Sequence, residues 1–189
     1  MNKKFYLQLV NASHPALCIP DRKALMPAHP DKPDILLETS AARALQALLD
    51  RLDAFDKIVP VSGFRTMEEQ RNIWKCSMRD HGYLYTRNYV ALPGCSEHET
   101  GLAIDLAAAA DAIDFICPDF PDTGIYGEFR RLAASYGFIL RYPAGKEDLT
   151  GIASEPWHFR YVGAPYAREI TQKQLVLEEY LTQLQKCAS

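Results

Sequence analysis

Apolar side chains recur at helical spacing in several stretches of the chain. In residues 40–52, Leu45, Leu48, Leu49 and Leu52 stand at positions i, i+3, i+4 and i+7. This spacing places them on one stripe of a helix, so the stretch predicts an amphipathic helix that packs against a core.

A second helix is predicted to begin after Thr66, because Thr66 and Glu69 have the S/T-x-x-E spacing of a capping box. We expect it to end at residues 81–82, with three large side chains facing the core: Met67, Trp74 and Met78. Residues 83–92 are rich in aromatic side chains and are expected to be irregular.

Two further helices are predicted in the C-terminal half. One begins at Asp122 or Thr123 and ends before Gly137, which stands where a helix-terminating glycine belongs. Its apolar face comprises Ile125, Phe129, Leu132, Ala133 and Tyr136. The last helix is predicted to follow a second capping box, Thr171 and Gln174, flanked by a hydrophobic staple. The staple is Ile170 with Leu175, and the apolar face of this helix comprises Leu177, Tyr180, Leu181 and Leu184.

Short runs of aliphatic, β-branched or aromatic residues predict strands between these helices. The stretches are 57–62, 102–106, 138–142 and 157–162, with a further edge strand at 5–10. Five prolines lie between His14 and Pro33, so residues from about 11 to 36 are interpreted as a loop that wraps the core. Helices and strands are mixed without strict alternation, which predicts an α+β fold: one domain over residues 1–189, with a small, largely antiparallel sheet flanked by helices and a cleft over the sheet.

Composition narrows the class of protein. The 189 residues are 48% hydrophobic and 24% charged, as in ordinary globular proteins, and the net charge of −3 argues against a nucleic-acid binder. No apolar stretch is long enough to cross a bilayer, and Gln8 interrupts the short apolar run that follows the basic N-terminus. The five cysteines are odd in number and lack CxxC spacing, so we expect free thiols and a cytoplasmic protein without a membrane anchor.

The polar residues that interrupt two of the predicted strands suggest a metal site. Asp105 points to one face of its apolar strand together with the small Ala103, and a lone buried carboxylate is costly unless it has a partner. His158 shares a strand face with Arg160, while the aromatic neighbours point to the other face. Either residue alone is more often a hydrogen-bonded core histidine or a salt-bridge aspartate. With His98 just before the first strand, the joint pattern favours a metal.

Two imidazoles and one carboxylate suit a catalytic zinc, which has three protein ligands and an open position. Glu155 precedes His158 by three residues and could act as general base. Calcium and magnesium prefer oxygen ligands alone, so they fit this set poorly. Cys95 could instead be a nucleophile, but nothing in the sequence specifies the base and the lowered pKa that this role needs.

Several stretches resemble the zinc D,D-peptidases of the VanY, VanX and VanXY type, which belong to a wider group with lysostaphin-type enzymes and the hedgehog signalling domain. The resemblance covers roughly residues 58–162. Its stretches are Ser62-Gly63-Phe64-Arg65-Thr66, Glu69-Gln70-Arg71, Ala91 to His98, Thr100 to Asp105, Tyr136-Gly137-Phe138 and Glu155-Pro156-Trp157-His158-Phe159. The pattern SxHxxGxAxD followed by ExWH is specific, whereas SGFRT alone would be weak.

The resemblance implies one zinc ion per chain on His98, Asp105 and His158, with Glu155 as general base and acid. It also implies that Arg65 holds the carbonyl oxygen that becomes anionic, and that Gln70 and Ser96 hold the terminal carboxylate of the substrate. The VanXY type acts on D-Ala-D-Ala and on peptidoglycan precursors ending in it, which implies glycopeptide (vancomycin) resistance. The implied partner is thus a small peptide.

Two other functions stay open at this point. One is an L-alanyl-D-glutamate endopeptidase of the phage type, which would use the same chemistry. The other is a zinc-stabilised binding module without catalysis, although such a module would need neither Glu155 nor Arg65. Loops at 117–124 or 144–152 are expected to cap the cleft and to set the balance between dipeptidase and carboxypeptidase activity.

Overall fold

The structure, a computed structural model, describes the backbone of residues 3–188 and the side chains of residues 5–187. Its helices are α1 (Lys3–Tyr6), α2 (Thr39–Leu52), α3 (Met67–Tyr89), α4 (Gly124–Ala133), α5 (Glu147–Thr150), α6 (Ala164–Gln172) and α7 (Leu177–Ala188). Its strands are β1 (Leu25–His29), β2 (Lys32–Glu38), β3 (Ile58–Ser62), β4 (Ala103–Ala108), β5 (Phe138–Tyr142) and β6 (Glu155–Tyr161).

Four strands form the central sheet in the order β3-β4-β6-β5, and every neighbouring pair is antiparallel. The register between the two middle strands places Asp105 directly opposite His158. Directly opposed residues have side chains within contact distance, so this register alone brings two of the expected ligands together. The predicted α+β class with a small antiparallel sheet flanked by helices is confirmed.

The main core lies between the sheet and α2. Leu45, Leu48 and Leu49 of α2 are fully buried, as their helical spacing predicted. They join a cluster that includes the aromatic face of β6, Trp157, Phe159 and Tyr161. Each fully buried leucine contributes about 1.5–3 kcal/mol through the hydrophobic effect, so this stripe fixes α2 against the sheet. The opposite face of β6 is left for polar side chains.

The predicted edge strand at residues 5–10 is wrong. Phe5 and Tyr6 lie in or at the end of α1, and residues 7–10 are irregular although Leu7 and Val10 are buried. The guanidinium of Arg160 donates to the backbone carbonyls of Tyr6 and Gln8, at 3.4 and 3.1 Å. A side chain therefore satisfies backbone groups that a strand would have paired in a ladder.

The proline-rich segment is not loop throughout. Strands β1 and β2 pair as an antiparallel hairpin that contains Pro27 and Pro33. A two-stranded sheet has an open edge on both sides, where a residue without an N–H donor is tolerated. The interpretation of residues from about 11 to 36 as a loop is therefore wrong for residues 25–29 and 32–36.

Helix α3 differs from its prediction in two ways. Its capping box is confirmed, with Thr66 and Glu69 bonded reciprocally, and Gly82 breaks the helical geometry at φ +80°. The chain nevertheless returns to helix as far as Tyr89, where an irregular stretch was expected. Met67 and Met78 are exposed and Trp74 is half-buried, whereas the buried face of α3 is polar. Its buried residues are Gln70, Ser77 and Thr86.

The second capping box is also wrong. Thr171 lies in the last turn of α6, a helix that was not predicted, and Gln174 adopts a left-handed conformation at φ +52° beyond it. Helix α7 is capped differently, because the Val176 N–H donates to Glu179 Oε2 at 2.9 Å. The predicted apolar face of α7 is confirmed: Leu177 and Tyr180 are buried.

Candidate metal centre

Three predicted ligands converge at the middle of the sheet. His98 lies on a single turn of 3-10 helix that ends at Gly101, whose φ of +66° lets the chain reverse into β4. Asp105 and His158 follow on β4 and β6. One donor atom from each of the three residues lies within 4.8 Å of the others, and all three residues are buried. The sequence prediction of a His-Asp-His group is thus matched by geometry that can hold a metal ion.

The carboxylate of Asp105 stands between the two imidazoles. Its Oδ2 is 3.0 Å from His98 Nε2, and its Oδ1 is 2.8 Å from His158 Nδ1. The outer nitrogen of each ring faces another acceptor: His98 Nδ1 lies 2.7 Å from the Gly63 carbonyl, and His158 Nε2 lies 3.5 Å from Glu97 Oε2. Histidine ligands are held by such contacts, which keep the proton on the outer nitrogen and leave the inner one for a metal.

Burial and the neighbouring charges set the ionisation of these groups. Burial lowers the pKa of His98 to about 4, and the positive charge of Arg65 adds to this effect. Burial would raise the pKa of Asp105, but the two imidazoles hold it well below its usual range. Burial would also lower the pKa of His158, yet Asp105 raises it to about 9. Asp105 and His158 therefore stabilise each other's charged form, and a metal ion would compete with a proton for His158.

The donor set fits zinc. Two imidazole nitrogens and one carboxylate oxygen are the ligand types that zinc accepts, and three protein ligands leave a position open for water or substrate. The outer contacts of both imidazoles supply the orientation that such a site needs. His98, Asp105 and His158 are the residues of the described chain that would hold the ion.

Glu155 lies beside the three donors at the start of β6. It is buried, and its Oε2 is 3.8 Å from His158 Nδ1. Burial raises the pKa of Glu155 to about 8, despite the opposing charge of His158. Pro156 follows it on the strand, so Glu155 is held in extended backbone. A carboxyl group of this kind can both accept and release a proton near neutral pH.

Arg65 enters the cleft from the turn before α3. Its Nη2 lies 3.7 Å from Asp105 Oδ2, and its Nη1 donates to Gln70 Oε1 at 2.9 Å. Gln70 in turn donates through Nε2 to the Ala91 carbonyl at 2.7 Å. The amide of Gln70 is thus engaged on both sides and orients Arg65, while the buried Ser96 lines the same cleft.

A cleft opens beside the three donors. All seven predicted site residues line it, together with side chains that the sequence analysis did not single out. Among these, the Tyr142 ring lies 4.9 Å from the His158 ring, and the other large lining residues are Ile73, Tyr89, Val90, Phe115, Ile116, Ile152 and Trp157. Residue 152 belongs to one of the two loops expected at the cleft. The second expected loop, 117–124, does not line the cleft; Phe115 and Ile116, just before it, do so instead.

Glu97 is the charged residue of the cleft that the sequence analysis missed. Its side chain is only 1% exposed and contacts Arg141 and Arg160, which are fully buried. Nothing in the local pattern distinguishes Glu97 from Glu99, because the partners that explain it lie far along the chain. Cys95 is half-buried, and burial raises its pKa, so its thiol is not the activated nucleophile considered above.

All five cysteines are free. Within residues 3–188, none of the helices combines the length and the apolar character that a membrane span requires.

Known proteins are similar to this chain in both sequence and fold. The family model of VanY, D-alanyl-D-alanine carboxypeptidase, matches residues 34–164. The chain is 42% identical over 175 residues to the bifunctional D-Ala-D-Ala dipeptidase and D-Ala-D-Ala carboxypeptidase VanXYC of Enterococcus gallinarum, and the match covers 92% of each protein.

Two solved structures are similar in fold. The vancomycin resistance D,D-dipeptidase VanXYg, in complex with a D-Ala-D-Ala phosphinate analog, superposes with a TM-score of 0.90 at 48% identity, over 95% of this chain and 72% of that one. A mutant of the vancomycin resistance D,D-pentapeptidase VanY from the VanB-type cassette, in complex with Zn(II), gives a TM-score of 0.71 at 31% identity, over 94% and 99% of the two chains. The extent of these matches is enough to identify the family: the chain belongs to the VanY family of D-alanyl-D-alanine carboxypeptidases.

Proposed function

We propose that this protein is a zinc-dependent peptidase that hydrolyses D-Ala-D-Ala and removes the C-terminal D-Ala from peptidoglycan precursors. The observation that carries the proposal is the convergence of His98, Asp105 and His158 with Glu155 and Arg65 on one cleft. Removal of D-Ala-D-Ala ends would give vancomycin resistance, the role named for the similar VanXYg.

Glu155 is the proposed proton carrier. A zinc ion, when bound, would polarise the scissile carbonyl and make water a stronger nucleophile at neutral pH. The carboxylate of Glu155 would accept a proton from the attacking water and deliver it to the amine that leaves. Its burial beside His158 supports both steps, because it raises the proton affinity of the carboxylate and fixes its position.

Arg65 is the proposed electrostatic partner of the developing negative charge. Its side chain is only 15% exposed, lies beside Asp105 and is held by Gln70, so little reorganisation is needed as charge builds on the carbonyl oxygen. A planar guanidinium also suits bidentate contact with a carboxylate. We propose that Gln70 acts on substrate through Arg65, and that the buried Ser96 contributes its hydroxyl to the terminal carboxylate.

The lining of the cleft suits a small peptide with methyl side chains. Apolar side chains such as Ile73, Val90 and Phe115 line it beside the charged groups at the three donors. Two alternatives use the same residues differently, an L-alanyl-D-glutamate endopeptidase and a zinc-stabilised binding module. The presence of both Glu155 and Arg65 in contact distance of the donors disfavours the binding module, which needs neither.

We propose a cytoplasmic location, because five unpaired cysteines suit a reducing compartment.

The test is a rate comparison on four substrates with zinc-loaded protein. D-Ala-D-Ala and a precursor pentapeptide ending in D-Ala-D-Ala should both release D-Ala, whereas L-Ala-L-Ala should be untouched. A peptide containing the L-alanyl-D-glutamate bond should also stay intact. Equal rates on the L and D dipeptides would indicate a general peptidase, and cleavage of the L-alanyl-D-glutamate bond alone would indicate the endopeptidase.

A further inference from the structure

A buried ionic network adjoins the metal centre, and its members are Glu97, Arg141, Arg160 and Glu178. Glu97 Oε1 accepts from Arg141 Nε at 2.8 Å and lies 3.0 Å from Arg160 Nη1. Both arginine side chains are fully buried. The far end of Arg141 forms a two-pronged pair with Glu178, at 2.9 and 2.6 Å.

The network meets the metal centre at one atom pair. The second oxygen of Glu97 is the acceptor that the structure offers to His158 Nε2, at 3.5 Å. When Nδ1 of that ring binds a metal, Nε2 must carry the proton, and a buried N–H needs an acceptor. An anionic acceptor also makes the imidazole a stronger ligand.

Glu97 can serve His158 only if its carboxylate stays in place. Arg141 holds Oε1, which leaves Oε2 directed at the imidazole. The orientation of Arg141 is fixed in turn by Glu178, since a two-pronged carboxylate pair restrains a planar guanidinium strongly. Glu178 belongs to α7, which lies beyond the segment 34–164 that matches the family model.

We infer that Glu97 and Glu178 are positioning residues of the metal centre: Glu97 holds His158 with Nδ1 toward the metal, and Glu178 on α7 holds Glu97 in place through Arg141. The inference rests on the proposed zinc site. It makes the C-terminal helix a part of that site, although no residue of α7 is a ligand.

A simpler role is that the four charges only neutralise one another inside the fold. Breaking the network would then destabilise the protein without changing the affinity of the folded form for zinc. The two roles therefore differ in one measurable quantity, the zinc dissociation constant of folded protein.

The decisive variant is Glu178→Gln, with Glu179→Gln as its matched control. Glu179 is the next residue of α7 and pairs with Lys146, outside the network. Its bond from the Val176 N–H can be kept in the variant, because the glutamine amide retains an acceptor oxygen. Zinc affinity is measured by competition with a chromophoric chelator, and thermal unfolding of the metal-free proteins is recorded in parallel. Zinc should bind Glu178→Gln about tenfold more weakly than the parent, the lower end of the effect of outer-shell changes. Glu179→Gln should match the parent in zinc affinity.

A second variant is Glu97→Gln, in which the side chain keeps nearly the same shape. The amide replaces one carboxylate oxygen by an NH2 donor, so either Arg141 Nε or His158 Nε2 would face a donor instead of an acceptor. Its zinc affinity should fall by roughly tenfold to a hundredfold. If this variant does not fold, the comparison of Glu178→Gln with Glu179→Gln decides alone. Parental zinc affinity in folded Glu178→Gln, even with a lower melting temperature, would overturn the inference, whereas failure of the parent protein to bind zinc would overturn the proposed function itself.

Discussion

At the scale of single residues, the centre concentrates charges that would be costly to bury alone. Asp105 is placed between two imidazoles, and Arg65 approaches it from the turn before α3. Buried charges are tolerated when each has a partner. Removing one of these groups should therefore lower the free energy of unfolding strongly, because it leaves a neighbouring charge buried and unpaired. Glu155 differs, because burial leaves it without a full ion pair and raises its pKa to about 8. This separates the group that moves a proton from the groups that hold the metal.

Glu155→Gln tests that separation. The amide keeps the shape of the side chain but cannot carry the proton, so hydrolysis of D-Ala-D-Ala should fall by at least about a hundredfold. Zinc content measured by elemental analysis should stay at the parental value, since His98, Asp105 and His158 are unchanged.

Glu128→Gln serves as the control, because Glu128 is exposed on α4 and pairs with Arg131 on the surface. It should retain parental activity. Zinc-loaded Glu155→Gln protein that works within a few-fold of the parent would rule out Glu155 as the proton carrier.

At the scale of secondary structure, the start of α3 is important because it sets the position of Arg65. Thr66 Oγ1 accepts from the Glu69 N–H at 3.2 Å, and Glu69 Oε2 accepts from the Thr66 N–H at 2.7 Å. Thr123, the residue before α4, makes no such side-chain bond. The two threonines therefore offer a direct comparison of a bonded cap with an unbonded one.

Thr66→Ala should lower the free energy of unfolding by about 1 kcal/mol, the usual value of a helix N-cap. Thr123→Ala should change it by less than about 0.5 kcal/mol, as for most surface substitutions. Urea denaturation followed by circular dichroism measures both. Equal losses in the two variants would show that the capping box of α3 contributes nothing specific.

Local patterns predicted the elements whose burial follows a simple period. The stripe of Leu45, Leu48 and Leu49 and the strand bearing Asp105 were recognisable because α2 and β4 pack directly on the core. The same reasoning failed where tertiary contacts override the pattern. The Arg160 guanidinium binds the carbonyls of Tyr6 and Gln8 where a strand was expected. The buried face of α3 is polar because Gln70 bonds Arg65 and Ser77 bonds Thr86.

In the candidate site, too, some residues could be predicted from local patterns and others depend on tertiary contacts. His98, Asp105, His158 and Glu155 were accessible from motif spacing, since each lies at or near the end of a predicted strand. Glu97 was not, because its partners Arg141 and Arg160 are distant in sequence and only the fold brings them together.

At the scale of the whole molecule, the sheet register and the helices around it create a buried polar centre beside an apolar core. Five cysteines are distributed over this fold, and none is paired with another. Thiol titration of denatured, unreduced protein should therefore find all five reactive. Loss of two or four reactive thiols would reveal disulfides and would contradict the proposed reducing location.

The central claim is that one zinc ion on His98, Asp105 and His158 makes this protein a D-Ala-D-Ala peptidase. The most direct measurement is the release of D-Ala from D-Ala-D-Ala while metal-free protein is titrated with zinc. We expect no release without metal and a rate that reaches its maximum near one equivalent of zinc, with His98→Ala remaining inactive throughout. Release that persists in metal-free protein, or that fails to appear at any zinc concentration, would contradict the account.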